Sequence, residues 1–320
     1  MRNIVLLAFL FFGIYANAQD INAAIEEFNQ GNQALQSEDF PLAIQKYKTA
    51  LEIATTLGEE GQELMAAAKK QIPTLYYQIG IQDYKEKNNE KAIIELQNAI
   101  KYGEEYGEQD MVDKSKDLIP KIHFARGNDL FKDGKFDEAL GAYSEAIELD
   151  PLYSKPYWGQ ALTYQKQGKS DEMVAAFKTS RERSIAENDE AFAERINSTA
   201  KRLLQSEGAG YLKSQKWNDA IKCFTTSNDF KADDPDTYYY LALSYNGLKN
   251  WNMAIEAAQT GVDLSEGESK DNKAKFYFEM GNAFKGANNN EKACEAYNNA
   301  KYGQFVENAN YEITQVLKCN

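Results

Sequence analysis

Seven small residues, Gly31, Gly80, Gly127, Ala161, Gly208, Ala242 and Gly281, each open the same pattern along this chain. Twelve positions after each comes Ala43, Ala92, Ala139, Met173, Ala220, Ala254 or Ala293. Sixteen after stands Tyr47, Leu96, Tyr143, Phe177, Phe224, Ala258 or Tyr297, and nineteen after comes Ala50, Ala99, Ala146, Ser180, Ser227, Gly261 or Ala300. A chain that repeats at this length builds one supersecondary unit per copy and buries each unit's apolar face against the next. The offsets predict helical hairpins in which the first small residue and the later Ala lie where two antiparallel helices cross, because only small side chains fit there. The side chain four positions beyond the Ala lies one turn on along the same face and is expected to plug into the next hairpin. Gly134 and Gly168 sit in the turns between helices, where left-handed dihedrals are needed.

The links between the small residues span 49, 47, 34, 47, 34 and 39 positions. The two shortest are closed by Asp150-Pro151 and Asp234-Pro235, with each Pro expected in the first turn of the next helix, where its missing N–H costs nothing. Two longer links look alike. Leu57-Gly58-Glu59-Glu60 leads to Ile72-Pro73, and Tyr102-Gly103-Glu104-Glu105 leads to Ile119-Pro120. Each is expected to lengthen the front of the following helix, with a kink at the Pro and the paired acids at the helix start, where the macrodipole favours them. Phe305 to Leu317 reads as one amphipathic helix covering the last apolar face.

The clearest copy runs from Gly127 through Asn128, Leu130, Gly134, Phe136 and Ala139 to Leu149-Asp150-Pro151, and it resembles a tetratricopeptide repeat (TPR). The resemblance extends over roughly residues 24–301. It implies an all-α, right-handed α-solenoid of about seven TPR-like hairpins over residues 19–304, then a C-terminal capping helix and tail at 305–320. Departures fall at Met173, where Ala is usual, at Ala258 and Gly261, which weaken the sixth copy, and at Asp83, in a slot that normally holds a large apolar side chain.

Met1-Arg2-Asn3 followed by the apolar run Ile4 to Ile14 and by Ala16-Asn17-Ala18 reads as a signal peptide over residues 1–18, with the mature chain starting at Gln19. The run falls short of the roughly 20 residues that span a bilayer. The expected location is outside the cytoplasm, periplasmic or extracellular. No cysteine follows the cleavage site, which argues against a lipid anchor. Removing residues 1–18 takes away Arg2 and no acid, leaving 35 − 49 = −14. Such a surface repels phosphate backbones and anionic head groups, so neither nucleic acid nor a membrane surface is an expected partner.

Catalytic and metal chemistry find little footing. His123 is the only histidine and lies on the apolar stretch Ile122-His123-Phe124, where packing is the expected role. Gly168-Lys169-Ser170 ends like a phosphate-binding loop, but Thr163 stands where that loop needs a glycine. Asp229, Asp233, Asp234 and Asp236 form the densest acidic loop and read as helix capping rather than a calcium site. No cofactor, metal or catalytic residue is assigned. Cys223 and Cys294 read as small apolar side chains. A Cys294–Cys319 bridge is the one reasonable pairing, with the penultimate place of Cys319 against it.

The first helices carry the candidate binding residues. Three positions before the small residues stand Phe28, Tyr77, Phe124, Trp158, Gln205, Tyr239 and Phe278, a slot that by resemblance lines the concave groove, with local packing as the alternative role. On the same face, Lys85, Lys132, Lys166 and Lys213 lie five positions after a small residue, and Lys121, Lys155 and Arg202 six before. The leading reading is a non-catalytic exported scaffold or adaptor that takes a protein or peptide in this groove. Tyr77, Phe124, Trp158 and Tyr239 act as anchors, and Lys85, Lys121, Lys132, Lys155, Lys166, Arg202 and Lys213 receive carboxylates. The carboxylate clamp of chaperone-binding TPR proteins is not reproduced, since Phe28 and Ala125 occupy positions that need Lys and Arg. The runner-up is a glycan- or peptidoglycan-associated binding protein, because tyrosine and tryptophan faces also stack on sugars.

Overall fold

The structure is a computed structural model describing residues 4–319, with side chains described from Asp20 onward. The predicted signal peptide, residues 1–18, lies outside the residues whose side chains are described.

Fifteen α-helices and no strand make up the described residues. In chain order they are α1 (Ile4–Gln36), α2 (Phe40–Thr56), α3 (Gln62–Lys85), α4 (Asn89–Tyr106), α5 (Gln109–Lys132), α6 (Phe136–Leu149), α7 (Ser154–Lys166), α8 (Ser170–Ala186), α9 (Glu190–Lys213), α10 (Trp217–Asn228), α11 (Pro235–Gly247), α12 (Trp251–Leu264), α13 (Lys270–Gly286), α14 (Asn290–Asn299) and α15 (Val306–Tyr311). The chain falls into two compact units, residues 1–176 and 177–320. In the first, α1 packs on α2, α3 on α4 and α5 on α6, while α2 also meets α3, α4 meets α5, and α6 meets α7. The second is built the same way from α9/α10, α11/α12 and α13/α14, with α10 against α11 and α12 against α13. Each unit is thus a stack of TPR-like hairpins in which each helix packs mainly on its chain neighbours.

A single backbone device makes the hairpins. Seven positions after every small residue the chain takes a positive φ, at Glu38, Lys87, Gly134, Gly168, Gln215, Lys249 and Asn288. That left-handed residue lets the next N–H reach back to the helix just finished, as Asp39 N does to Ala34 O at 2.9 Å and Lys135 N to Leu130 O at 2.9 Å. The next helix then starts at once, sometimes on a side-chain cap: Asp39 Oδ1 accepts from Leu42 N, and Asn289 Oδ1 from Lys292 N.

The predicted crossing points are tight. A Cβ placed on Gly127 would come within 2.5 Å of the Tyr143 ring, and one on Gly281 within 2.6 Å of the Tyr297 ring. The large residue sixteen positions on therefore lies first against its own hairpin's small residue. Tyr143 reaches the next hairpin as well, because Gly159 on α7 abuts the same ring. Where the sixth copy has Ala258, the filling ring comes from the following helix: Phe276 is wholly buried and lies against Gly261. The substitutions that seemed to weaken that copy make room for a ring supplied from elsewhere.

Four expectations are corrected. Pro235 opens α11, but Pro151 lies three residues before α7, in a turn where Asp150 Oδ1 accepts from Leu152 N at 3.0 Å. The two inserted links are not alike: Glu59 and Glu60 sit in a short 3-10 turn ahead of α3, while Glu104 and Glu105 lie in the last turn of α4, which runs on to a left-handed Gly107. Glu104, placed where the macrodipole disfavours it, pairs with Lys116 of α5 at 2.8 Å. The final segment is a 3-10 turn at Gly303–Phe305, then α15, then a π turn at Glu312–Val316, rather than one helix. Ile313 and Leu317 of that segment pack on the cluster of Ala293, Tyr297, Ala300 and Ala309. Cys294 is not a free apolar side chain. It is bridged to Cys319 with the Cα atoms 5.8 Å apart, while Cys223 is buried and unbridged.

Candidate functional site

The slot three positions before each small residue is half-buried, and in three copies its side chain rests on the ring that fills the hairpin. Phe28 lies 5.0 Å from Tyr47 by ring centroids, Phe124 lies 5.9 Å from Tyr143, and Phe278 lies 5.5 Å from Tyr297. Phe124 also meets Tyr153 edge-on at 5.7 Å. Tyr77 packs beside Ala92, Ile93 and Leu96. Trp158 is likewise half-buried. In the second unit Tyr239 stands edge-on to Phe276 at 6.3 Å, and burial pushes its hydroxyl up to about 12. These aromatics therefore brace the hairpins and expose only part of each ring.

The basic residues of the stripe are exposed. Lys85, Lys132, Lys166 and Lys213 occupy the last turns of α3, α5, α7 and α9, where the helix macrodipole favours a cation. Lys132 holds Asp129 at 3.1 Å, and Lys121 holds Asp117 at 2.6 Å on the same helix. No described carboxylate comes within 4.0 Å of Lys85, Lys155 or Lys166 in the first unit, or of Arg202 or Lys213 in the second. Lys155 stands in the first turn of α7, where the dipole works against it, so helix stability does not account for its place.

The acidic loop is spent on caps and ion pairs. Asp234 Oδ1 accepts from Asp236 N at 3.0 Å at the start of α11, and its other oxygen accepts from Gln205 Nε2. Burial works against its charge, but those bonds and nearby Lys201 hold its carboxyl below the usual range. The Lys201 ammonium, on a largely buried side chain, lies 3.3 Å from Asp233 and 3.6 Å from Asp234. Asp229 pairs with Lys178 at 2.8 Å, and Asp236 with Lys275. His123 Nδ1 lies 2.8 Å from Glu145, a carboxylate shared with Arg126. Burial lowers its pKa and Glu145 only partly offsets that, so the ring is neutral at pH 7.

Two arrangements escape the sequence reading. Tyr47, Tyr143 and Tyr297 each donate a hydroxyl hydrogen to Asn32, Asn128 and Asn282 at 2.7, 2.9 and 2.7 Å. Their signal lies in the repeat table: Asn follows the small residue in the three copies that carry Tyr, and Ile81, Leu162, Ala209 and Leu243 follow it in the others. The second arrangement joins α2, α3 and α4. Lys48 Nζ donates to the Tyr76 hydroxyl at 2.9 Å and to the Tyr102 hydroxyl at 2.7 Å, over rings stacked at 5.2 Å. Tyr106 flanks Tyr102 at 5.7 Å, and Lys69 and Lys101 stand over the Tyr106 and Tyr102 rings at 5.9 and 5.3 Å. No fixed spacing connects these residues, because three different elements supply them.

Residues 127–168 match the TPR repeat family. That stretch holds the C-terminal end of α5 and all of α6 and α7. The chain is also similar to the Hsp70-Hsp90 organizing protein of Triticum aestivum, at 26% identity over 47% of this chain. It spans about a third of that relative's length, 33%. Among solved structures it is similar to the TPR2AB-domain:pHSP90-complex of yeast Sti1 (18% identity, 91% of this chain and 94% of that one, TM-score 0.31). It is similar as well to the P58(IPK) TPR domain (12% identity, 92% and 98%, TM-score 0.33). A further similar structure is YrrB, described as a TPR protein with an unusual peptide-binding site (16% identity, 60% and 89%, TM-score 0.33).

Proposed function

We propose that this protein is an exported, non-catalytic scaffold that binds a carboxylate-bearing protein or peptide along the first-helix faces of its TPR-like hairpins. The observation that carries the reading is the set of exposed cations without carboxylate partners, Lys85, Lys155 and Lys166, in a chain of net charge −13. In so acidic a molecule an unpaired lysine has many acids to choose from, and Lys155 is held where its own helix dipole opposes it. The wheat relative's name, an organizing protein, agrees with an adaptor role. Export is supported by the pattern of residues 1–18 and by the Cys294–Cys319 bridge, since disulfides persist mainly in oxidising compartments.

The test combines capture with charge reversal. The mature chain is used to pull partners from the extracytoplasmic fraction, beside a Lys85→Glu/Lys155→Glu/Lys166→Glu variant of unchanged helicity. Capture of a stoichiometric protein is expected to fall roughly tenfold in the variant at low salt, with a smaller difference at high salt where exposed charges are screened. Equal capture by both proteins at low salt would remove the first-helix stripe from the binding surface. Recovery of the protein only in the cytoplasm, with residues 1–18 retained in its intact mass, would remove export.

A further inference from the structure

Some lysines of the first unit hold acids: Lys46 holds Glu27, Lys114 holds Asp110, and Lys116 holds Glu104. Lys48, Lys69 and Lys101 differ, for among the described residues no carboxylate lies within 4.0 Å of any of them. Instead they converge on the rings of Tyr76, Tyr102 and Tyr106. Lys48 uses two of its three N–H hydrogens on the phenol oxygens, which act there as acceptors and keep their own hydrogens. The cluster so formed gathers three cations around two hydrogen-bonded phenols, with Glu105 the acid that acts on its outer ring, Tyr106. A ring face attracts a cation by about 0.5–1 kcal/mol at exposed sites, well short of neutralising three positive charges.

We propose that this cluster binds an oxyanion, a carboxylate or phosphate group, seated between the ammonium groups of Lys48, Lys69 and Lys101 and the hydroxyls of Tyr76 and Tyr102. The site is distinct from the first-helix stripe, for Lys48 and Lys101 lie on second helices and Tyr102 and Tyr106 on the C-terminal extension of α4. Its ligand is a small charged group held at one point, not an extended segment. The hydrogen bond from Lys48 already holds the Tyr102 phenol below its usual pKa, so the cluster favours negative charge on oxygen. An anion bound there competes with the phenolate and raises that pKa.

Alkaline titration of the tyrosine absorbance on the full mature chain reads the site directly. Inorganic phosphate and glutarate are the two probes, each also followed by calorimetry. At least one is expected to bind and to shift the lowest-titrating tyrosine upward, and Tyr102→Phe is expected to abolish that titration. Lys69→Gln/Lys101→Gln, which leaves Lys48 and the stacked rings in place, is expected to weaken the probe about tenfold or more. Tighter phosphate than glutarate assigns a phosphate group, and the reverse assigns a carboxylate. Failure of both probes to bind the wild type, or equal affinity in the double variant, overturns the proposal.

Discussion

The tyrosine–asparagine pair shows how a single repeat position is decided by its partner. Tyr143 is buried almost completely, and burial pushes its hydroxyl up to about 12, so it is neutral and must place its hydrogen on an acceptor. Asn128 supplies one, and copies with Phe or Leu in the ring slot need none. Tyr143→Phe or Asn128→Leu alone is expected to cost about 1–2 kcal/mol by leaving a buried polar group without its partner. The double substitution is expected to cost less than the two singles summed, and chemical denaturation of all four proteins measures the difference. Glu279 behaves in the opposite sense. It is nearly fully buried, accepts from Asn246 at 2.8 Å and Asn282 at 3.2 Å, and burial raises its pKa over the opposition of those bonds. Below the unfolded carboxyl's pKa both states are protonated and its burial costs nothing; as pH rises from there toward the folded pKa, the unfolded state gains by ionising and stability falls. Glu279→Gln is therefore expected to raise the melting temperature at pH 7, with the gain shrinking in mild acid. No gain at pH 7 would show that the site carries its charge without strain.

The elements were legible where they depend on neighbours in sequence, and less so where an end depends on a contact. The seven turns follow from the offsets, yet only Gly134 and Gly168 announced their dihedral, because Lys87, Gln215 and Lys249 adopt the left-handed region without a glycine's freedom. Such a residue costs roughly 1–2 kcal/mol relative to a right-handed one. Lys87→Gly and Lys249→Gly are each expected to stabilise by about 0.5–1 kcal/mol, and Gly134→Ala to destabilise by about 1 kcal/mol, measured by urea midpoints at constant slope. The pair Glu104-Glu105 reads as a helix start, so the end of α4 is not legible at the preceding Gly103. In the fold it is a buried helical position beside Val112, and Gly107 does the stopping. The apolar spacing of the last segment reads as one helix, whereas its closure depends on the Cys294–Cys319 bridge. Closing a loop of 25 residues is worth about 3.5 kcal/mol on chain entropy, so reduction is expected to speed amide exchange in α14, α15 and the π turn while leaving α9 and α10 protected.

For the molecule as a whole, seven hairpins were readable because a repeat reports itself many times over, while the candidate site was readable only as a stripe of charges. Repetition fixes which side chains face a neighbouring helix and says nothing of what meets the exposed ones. The Lys48 cluster lay beyond reach because its members come from α2, α3 and α4 with no shared offset. The same architecture predicts how damage spreads. Helices here touch their neighbours in sequence, and in part the next helix of the same kind, as α3 does α5 and α5 does α7. A change at one crossing should therefore loosen that hairpin and those beside it, not the entire chain. Gly127 and Gly141 offer a matched pair. A Cβ at Gly127 meets the buried Tyr143 ring at 2.5 Å, which the packed hairpin cannot move aside freely, whereas one at Gly141 on α6 has nothing within 4 Å. Gly127→Ala is expected to destabilise by about 1–3 kcal/mol through overpacking. Gly141→Ala is expected to stabilise by roughly 0.5–1 kcal/mol through helix propensity alone. Native-state hydrogen exchange on Gly127→Ala should then show lost protection in α5, α6 and α7 with α13 and α14 unchanged, because α13 and α14 belong to the other compact unit. Equal loss of protection in α5 and α13 would mean that the two units unfold as one cooperative body, and the nearest-neighbour picture of this stack would have to be given up.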